Sequence, residues 1–384
     1  MAKLIEITGK ALSGEWGIDD QTGEGIPVLR TTNFTNEGVV DYKNVVTRTI
    51  TKKNIEEKFL RKGDIIIEKS GGSDKFPVGR VIYFEGEDNT YLFNNFTGLL
   101  RVKNQEIWYP RYVFYSLFAN YRRGGTRMFE NKTTGIHNLK LAHYISQYEV
   151  NEIVKEEQIS VCDKLDKLYV IINEMKQQLR LLDDLIKARF VEMFGDSASN
   201  EKGWKMNTFG DICTVRQGLQ IPISKRLTEY EEDSYEYITV QYLHGGKEKE
   251  YIKSPKESVK CTKDDILMTR TGNTGMVVTN VEGVFHNNFF LIDFDRERFE
   301  KDFLVEYLNL DLIQADITRR AGTSTIPDLN HGEFYKIKVF EPPIDLQKEF
   351  DEFKMQVDKS KVAVQKALDE TQTLFDSLMQ EYFG

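Results

Sequence analysis

Two stretches of this 384-residue sequence, Gln158 to Gly195 and Gln347 to Gly384, align without a gap at a shift of 189, and both close with Phe-Gly. A Gly after a long helical pattern is a stop, because it enters the left-handed region without a Cβ penalty. In the first stretch Val161, Leu165, Leu168, Ile172, Met175, Leu179, Leu182, Ile186, Arg189 and Met193 recur at alternating spacings of four and three, and only Arg189 is not apolar. That is a coiled-coil seam. The same shift gives Phe350, Lys354, Val357, Lys361, Val364, Leu368, Thr371, Phe375, Leu378 and Tyr382, which keep the register with three polar interruptions. No Pro or Gly breaks either run, so each predicts one helix of roughly 55 Å. Two equivalent helices in one chain pack most simply antiparallel about a pseudo-twofold axis.

A repeat of this kind fixes the architecture that single motifs only hint at. The regions before the two helices echo each other. Gly63-Asp64-Ile65-Ile66-Ile67-Glu68-Lys69-Ser70-Gly71 matches Asp264-Asp265-Ile266-Leu267-Met268-Thr269-Arg270-Thr271-Gly272, a buried strand running into a Gly-containing turn that begins with a cation. Ile26 to Thr31 resembles Tyr235 to Val240, and Phe93-Asn94-Asn95-Phe96 resembles His286-Asn287-Asn288-Phe289. Thr133 to Leu139 corresponds to Thr323 to Leu329. Each follows a helical segment, Tyr112 to Tyr121 or Phe303 to Arg319, and a basic turn, Arg122-Arg123-Gly124-Gly125 or Arg319-Arg320-Ala321-Gly322. The expected fold is α+β: a β-rich domain over 1–150, a long helix over 151–195, a second β-rich domain over 196–342 and a second long helix over 343–384.

The formal net charge of −9 counts against nucleic-acid binding if taken as a sum, since phosphate contacts need Lys and Arg. Location matters more. Acidic residues crowd the helical stretches, whereas from Arg122 to Lys140 five cations face only Glu130. No window approaches the roughly 18 apolar residues that a membrane span needs, so the protein is expected in the cytoplasm, without a membrane partner. Cys162, Cys213 and Cys261 are too far apart for a disulfide framework or a zinc site, and they read as reduced structural residues.

Catalytic signatures are missing as well. The only Pro-Pro, in Glu341-Pro342-Pro343-Ile344, does not fit the Asn/Asp-Pro-Pro-aromatic motif of an adenine methyltransferase, and no phosphate-binding loop is present. His137, His143, His244, His286 and His331 lack metal-ligand spacing, so no metal is expected. Asp64, Glu68 and Lys69 superficially suggest a nuclease cluster, but Thr269 replaces Glu68 in the partner strand, which favours a strand edge.

The order domain, long helix, domain, long helix resembles the specificity subunits of Type I restriction-modification enzymes over essentially the whole sequence. The motifs that carry the resemblance are the strand-turn Gly-Asp-Ile-Ile-Ile-x-Lys-x-Gly, the segment Phe340 to Gln347, and the helix ends Ala188 to Gly195 and Met379 to Gly384. Tyr148 to Ile153 departs from it, lacking the Pro-containing entry of the second helix. The resemblance implies two target recognition domains that each read one part of a split, asymmetric site in double-stranded DNA. It also implies helices that bind two modification subunits, which carry S-adenosylmethionine, and restriction subunits that join this core. The chain itself would be non-catalytic and hold no cofactor.

Within that frame Lys69 and Arg270 are the leading DNA contacts, because equivalent turns in divergent domains carry a cation beside Gly. Arg122, Arg123, Arg127, Arg319 and Arg320 come next as phosphate or base contacts, followed by Lys132, Lys140, Arg216 and Gln217. An assembly scaffold with a coiled-coil core and protein-binding β-domains is the competing reading.

Overall fold

A computed structural model describes residues 1–133, 136–243, 245, 248–322 and 327–384, without the side chains at 132, 133 and 136. The chain divides into two compact units, Met1–Lys176 with Lys366–Gly384, and Gln177–Gln365. The two long helices are Lys155–Phe194 and Ile344–Phe383, 40 residues each. Their first residues, 155 and 344, stand at the same 189-residue shift, so the first helix begins at the equivalent position without a Pro-Pro entry. Each helix contributes one part to each unit. The units therefore cut across the expected boundaries, in which the helices stood as separate segments.

In the first unit Ile65–Glu68 is one of two inner strands of an antiparallel sheet ordered Leu12–Ser13, Thr97–Leu100, Ile65–Glu68, Val81–Tyr83. All four residues of Ile65–Glu68 are buried, which explains a continuous apolar run in place of alternation. A second sheet is ordered Ile18–Asp19, Val46–Thr49, Ile26–Leu29, Leu92–Phe93, with the last pair parallel. Asp64 and Glu68 do not form a nuclease cluster. Asp64 takes two hydrogen bonds from Arg101, at 2.7 and 2.6 Å, and Glu68 faces Arg80 at 3.5 Å.

The second unit repeats this plan with other residues. Its antiparallel sheet runs Cys213–Gln217, Phe289–Phe294, Ile266–Thr269, Val277–Val278, and in its other sheet Ser234–Ile238 pairs in parallel with Gly283–Phe285. The parallel pairs Val28↔Leu92 and Tyr237↔Val284 set Ile26 to Thr31 against Tyr235 to Val240 in the register read from the sequence.

The register of Phe93 to Phe96 is different. Thr97 pairs with Glu68 and Phe289 pairs with Thr269, so Thr97, not Phe96, is the equivalent of Phe289. Phe93 then matches Phe285, and Asn94 matches His286. A shared Asn-Asn attracted the sequence match one residue out of step, and in a strand one residue changes the face. Two glycines confirm the corrected frame. A Cβ on Gly14 would lie 2.2 Å from the carbonyl oxygens of Phe93 and Asn94, and one on Gly218 would lie 2.5 and 2.2 Å from those of Phe285 and His286.

Each unit is fastened to its long helices by matching devices. Gln158 is fully buried; it accepts from the Tyr109 backbone N–H at 2.8 Å and donates to the carbonyls of Ile107 and Ile153 at 3.0 and 2.9 Å. Gln347, also fully buried, accepts from Glu300 N–H at 2.9 Å and donates to Arg298 and Pro342 carbonyls at 3.0 and 2.9 Å. These bonds tie each long helix to the start of the domain helix, Pro110–Arg122 or Lys301–Asn309. The Phe of each Phe-Gly ending packs on that same domain helix: Phe383 lies 5.1 Å from Tyr112, and Phe194 lies 4.9 Å from Phe303, between ring centroids. Within each unit the end of one long helix thus closes over the start of the other, running antiparallel to it.

Every position of both seams is buried or half-buried. The polar members have partners. Lys354 bonds to Asp358 at 3.0 Å and faces Asp302 at 3.7 Å, Lys361 pairs with Asp183 at 2.5 Å, Thr371 donates to the Ala367 carbonyl at 2.7 Å, and Arg189 reaches Glu192 and Glu349. The three cysteines are buried and unbridged, and burial pushes the Cys213 and Cys261 thiols up to about 12. Among the described residues no helix is long and apolar enough to cross a membrane.

Candidate nucleic-acid interface

The strands Ile65–Glu68 and Ile266–Thr269 deliver the cations that follow them into one backbone frame. Lys69 N–H donates to the Phe96 carbonyl at 2.8 Å and Arg270 N–H to the Asn288 carbonyl at 2.7 Å. The Lys69 carbonyl accepts from Leu139 N–H at 2.8 Å, and that of Arg270 from Leu329 N–H at 2.9 Å. One step on, Ser70 pairs with Asn138, and Thr271 with Asp328. Ser13 pairs with Gly98 and Gln217 with Phe290, which makes Ser13 and Gln217 equivalent too. Both domains therefore hold the same station at the end of this strand, with different side chains.

In the first station Lys69 Nζ donates to Ser13 Oγ at 3.0 Å. Burial, helped by the neighbouring charge of Lys58, lowers the Lys69 pKa, so the ammonium is held at a cost that an approaching anion would relieve. The second station is a network. Arg270 donates from Nε and Nη2 to the two carboxylate oxygens of Asp328, at 2.9 and 2.7 Å, and from Nη1 to Gln217 Oε1 at 3.2 Å. Gln217 Oε1 also meets His331 Nε2 at 2.9 Å, and its amide donates to the Asn287 carbonyl at 2.6 Å. Asp328 holds the Arg270 pKa up, and Arg270 holds the Asp328 carboxyl down. Burial, then Arg270, lowers the His331 pKa, which favours the neutral ring.

The remaining candidates do not gather at these stations. Arg122 pairs with Asp376 at 2.8 Å, and Arg123 donates to the Phe383 carbonyl at 2.5 Å, so both fasten the end of the second long helix. Arg319 and Arg320, in the last turn of the helix Asp311–Ala321, pair with Asp316, and Arg320 also with Glu333 at 3.3 Å. Arg216 donates to the Ser258 and Lys260 carbonyls at 3.3 and 3.5 Å. Lys140 is exposed at the start of Leu141–Gln147. The side chain of Lys132 lies outside the described residues, as do residues 323–326 of the matched segment that ends at Leu329.

Arg127 is exposed and holds a loop by donating to the carbonyls of Asp74 and Lys75 at 3.2 Å. Phe76 on that loop is 59% exposed and Met128 is 80% exposed, a pair of apolar tips beside cations. Sequence reasoning missed these tips, and it missed Ser13, Asp328 and His331 as parts of the stations. Asp328 stood inside a matched segment, so its signal was available. Ser13, 56 residues from Lys69, gave none. Among the described residues no group of three or more His, Cys, Asp and Glu is arranged to hold a metal.

Residues 201–371 match the family model of the Type I restriction modification DNA specificity domain. A curated relative, the Type I restriction enzyme MjaVIII specificity subunit of Methanocaldococcus jannaschii, is 22% identical over 161 residues, which is 42% of this chain and 36% of that protein. The match thus spans little more than a third of that relative's length. Two solved structures share the fold along the whole chain. The Type I restriction-modification system S subunit from M. genitalium has a TM-score of 0.62 at 17% identity, covering 100% of this chain and 95% of that one. A chain from a structure concerned with complex assembly and conformational transition of the Type I R-M system has a TM-score of 0.57 at 14% identity, covering 100% and 96%. The second half of this chain thus matches the Type I restriction modification DNA specificity domain, and its first half repeats the same sheets, stations and helix fastenings.

Proposed function

We propose that the chain reads a bipartite, asymmetric site in double-stranded DNA, one part with each domain, as the non-catalytic specificity subunit of a Type I restriction-modification system in the cytoplasm. The observation that carries this reading is the duplicated station. One backbone frame is kept in both domains, while its polar side chains are exchanged as a set. A shared structural role would keep the side chains; reading two different sequences requires them to differ.

The long helices serve as the seat of two modification subunits, with restriction subunits joining that core. Outside the seams they expose Val170, Ile171 and Leu374 in the first unit and Leu181, Leu185 and Val362 in the second. Exposed apolar rows on helices whose seams are already filled suit protein partners. S-adenosylmethionine and the methyl-transfer chemistry belong to the modification subunits in this reading.

The test is to express the chain with its cognate modification subunits and sequence the methylome of the host. A split motif with unlike halves is the expected result, and no new methylation would overturn the proposal. The assembled complex should also bind that duplex with steep salt dependence, whereas an assembly scaffold would show no such binding.

A further inference from the structure

Arg270 has five N–H donors, and its contacts with Asp328 and Gln217 use three of them. Among the described residues the two that remain, one on Nη1 and one on Nη2, have no acceptor. The side chain is 26% exposed, so its terminal nitrogens are reachable while its plane is fixed by a bidentate carboxylate. Gln217 is itself held by the Asn287 carbonyl and by His331, so the guanidinium is braced from two directions. A planar donor pair held in advance loses little entropy on binding and matches the O6 and N7 acceptors that guanine alone presents side by side in the major groove.

We propose that Arg270 is the specificity-determining residue for one guanine in the part of the site read by the second domain, with Asp328 and Gln217 as its positioning residues. The inference rests on the chain being a DNA reader, as proposed above. The first station lacks this geometry: Lys69 ends in a rotatable ammonium with three donors, one of them on Ser13, and offers no planar fork fixed in advance. A guanine read by a planar fork fixed in advance is therefore expected at this station only in the second half of the site.

The experiment is methylome sequencing of cells that express the cognate modification subunits with the native chain, Arg270→Lys or Asp328→Asn. The native chain yields a motif with a fixed guanine in one half. Arg270→Lys relaxes that single position by about ten- to hundredfold in discrimination and leaves the other half of the motif unchanged. Asp328→Asn relaxes the same position less. A motif unchanged by Arg270→Lys, or a relaxed position that is not guanine, overturns the inference while leaving the DNA-reading function standing. No motif with the native chain overturns that function instead. Should Arg270→Lys abolish methylation, binding of the purified complex to duplexes carrying each of the four bases at that position decides. Loss confined to guanine supports the inference, and equal loss on all four overturns it.

Discussion

The two stations share every backbone hydrogen bond that defines them and a cation in the same place, but neither the type of that cation nor its side-chain partners, whereas the two helix fastenings share both bonds and residue types. Gln158 and Gln347 make the same three bonds, and the Phe-Gly endings fill the same kind of aromatic seat. The difference separates two demands on a duplicated chain. Where a residue holds the fold, both copies need the same answer. Where it meets a variable partner, only the frame is kept.

The strongest way to break this comparison is at the aromatic seats. Phe194 is fully buried against Phe190, Phe303 and Phe350, and Phe194→Ala should cost about 4 kcal/mol in the second unit. Phe383, against Tyr112 and Tyr115 and 5% exposed, should cost about 3 kcal/mol in the first. Denaturant melts followed by hydrogen exchange would assign each loss to its unit. Losses in the opposite units would refute the assignment of each helix end.

Next come the glutamines. Gln158→Leu and Gln347→Leu each strand one N–H and two carbonyls, and each should destabilise by about 3 kcal/mol. A cost in one copy and not the other would end their equivalence. At the stations, Lys69→Ala and Arg270→Ala should each weaken specific DNA binding of the assembled complex by about 1–3 kcal/mol, Arg270→Ala more. Titrations on the methylated motif would show it, and unchanged affinity for both would remove the stations from the interface.

The smallest effect probes a place where the helices themselves differ. Asp351 stands where the first helix has the buried Cys162, and its Oδ1 is buried without a partner among the described residues. Burial first, then the charges of Asp302 and Glu300, raises its pKa to about 7. A carboxyl raised above its unfolded value of 3.8 contributes full stability below pH 3.8 and loses it as pH climbs through 7. Asp351→Cys should therefore raise the melting temperature at pH 8 more than at pH 5. An equal gain at both would show that charge is not the cause.

Much of this was legible in the sequence for a physical reason. A seam has to recur every three or four residues to stay on one helix face, so it survives as a pattern even where Lys354, Lys361 and Thr371 interrupt it. The strand Ile65–Glu68 was equally plain, being buried throughout. What stayed hidden depended on distance along the chain. Arg122 reads as a free cation until Asp376, 254 residues later, is found beside it. The Arg270 network draws Gln217, Asp328 and His331 from separate segments, and local pattern carries no record of such meetings. The slip at Phe93 to Phe96 has the same root, since register is set by pairing across strands and not by identity along them.

The division of the long helices also sets an order of events on the ribosome. Unit two is one uninterrupted run, Gln177–Gln365, and all of its residues exist before the last part of the second helix is made. Unit one, although its sheets are translated first, needs Lys366–Gly384 to cover Tyr112 and to pair Arg122. The domain synthesised first is thus the last to be completed, and its apolar seat stays uncovered through the making of the other. Premature termination near residue 366 would therefore injure the half of the molecule farthest upstream in the message.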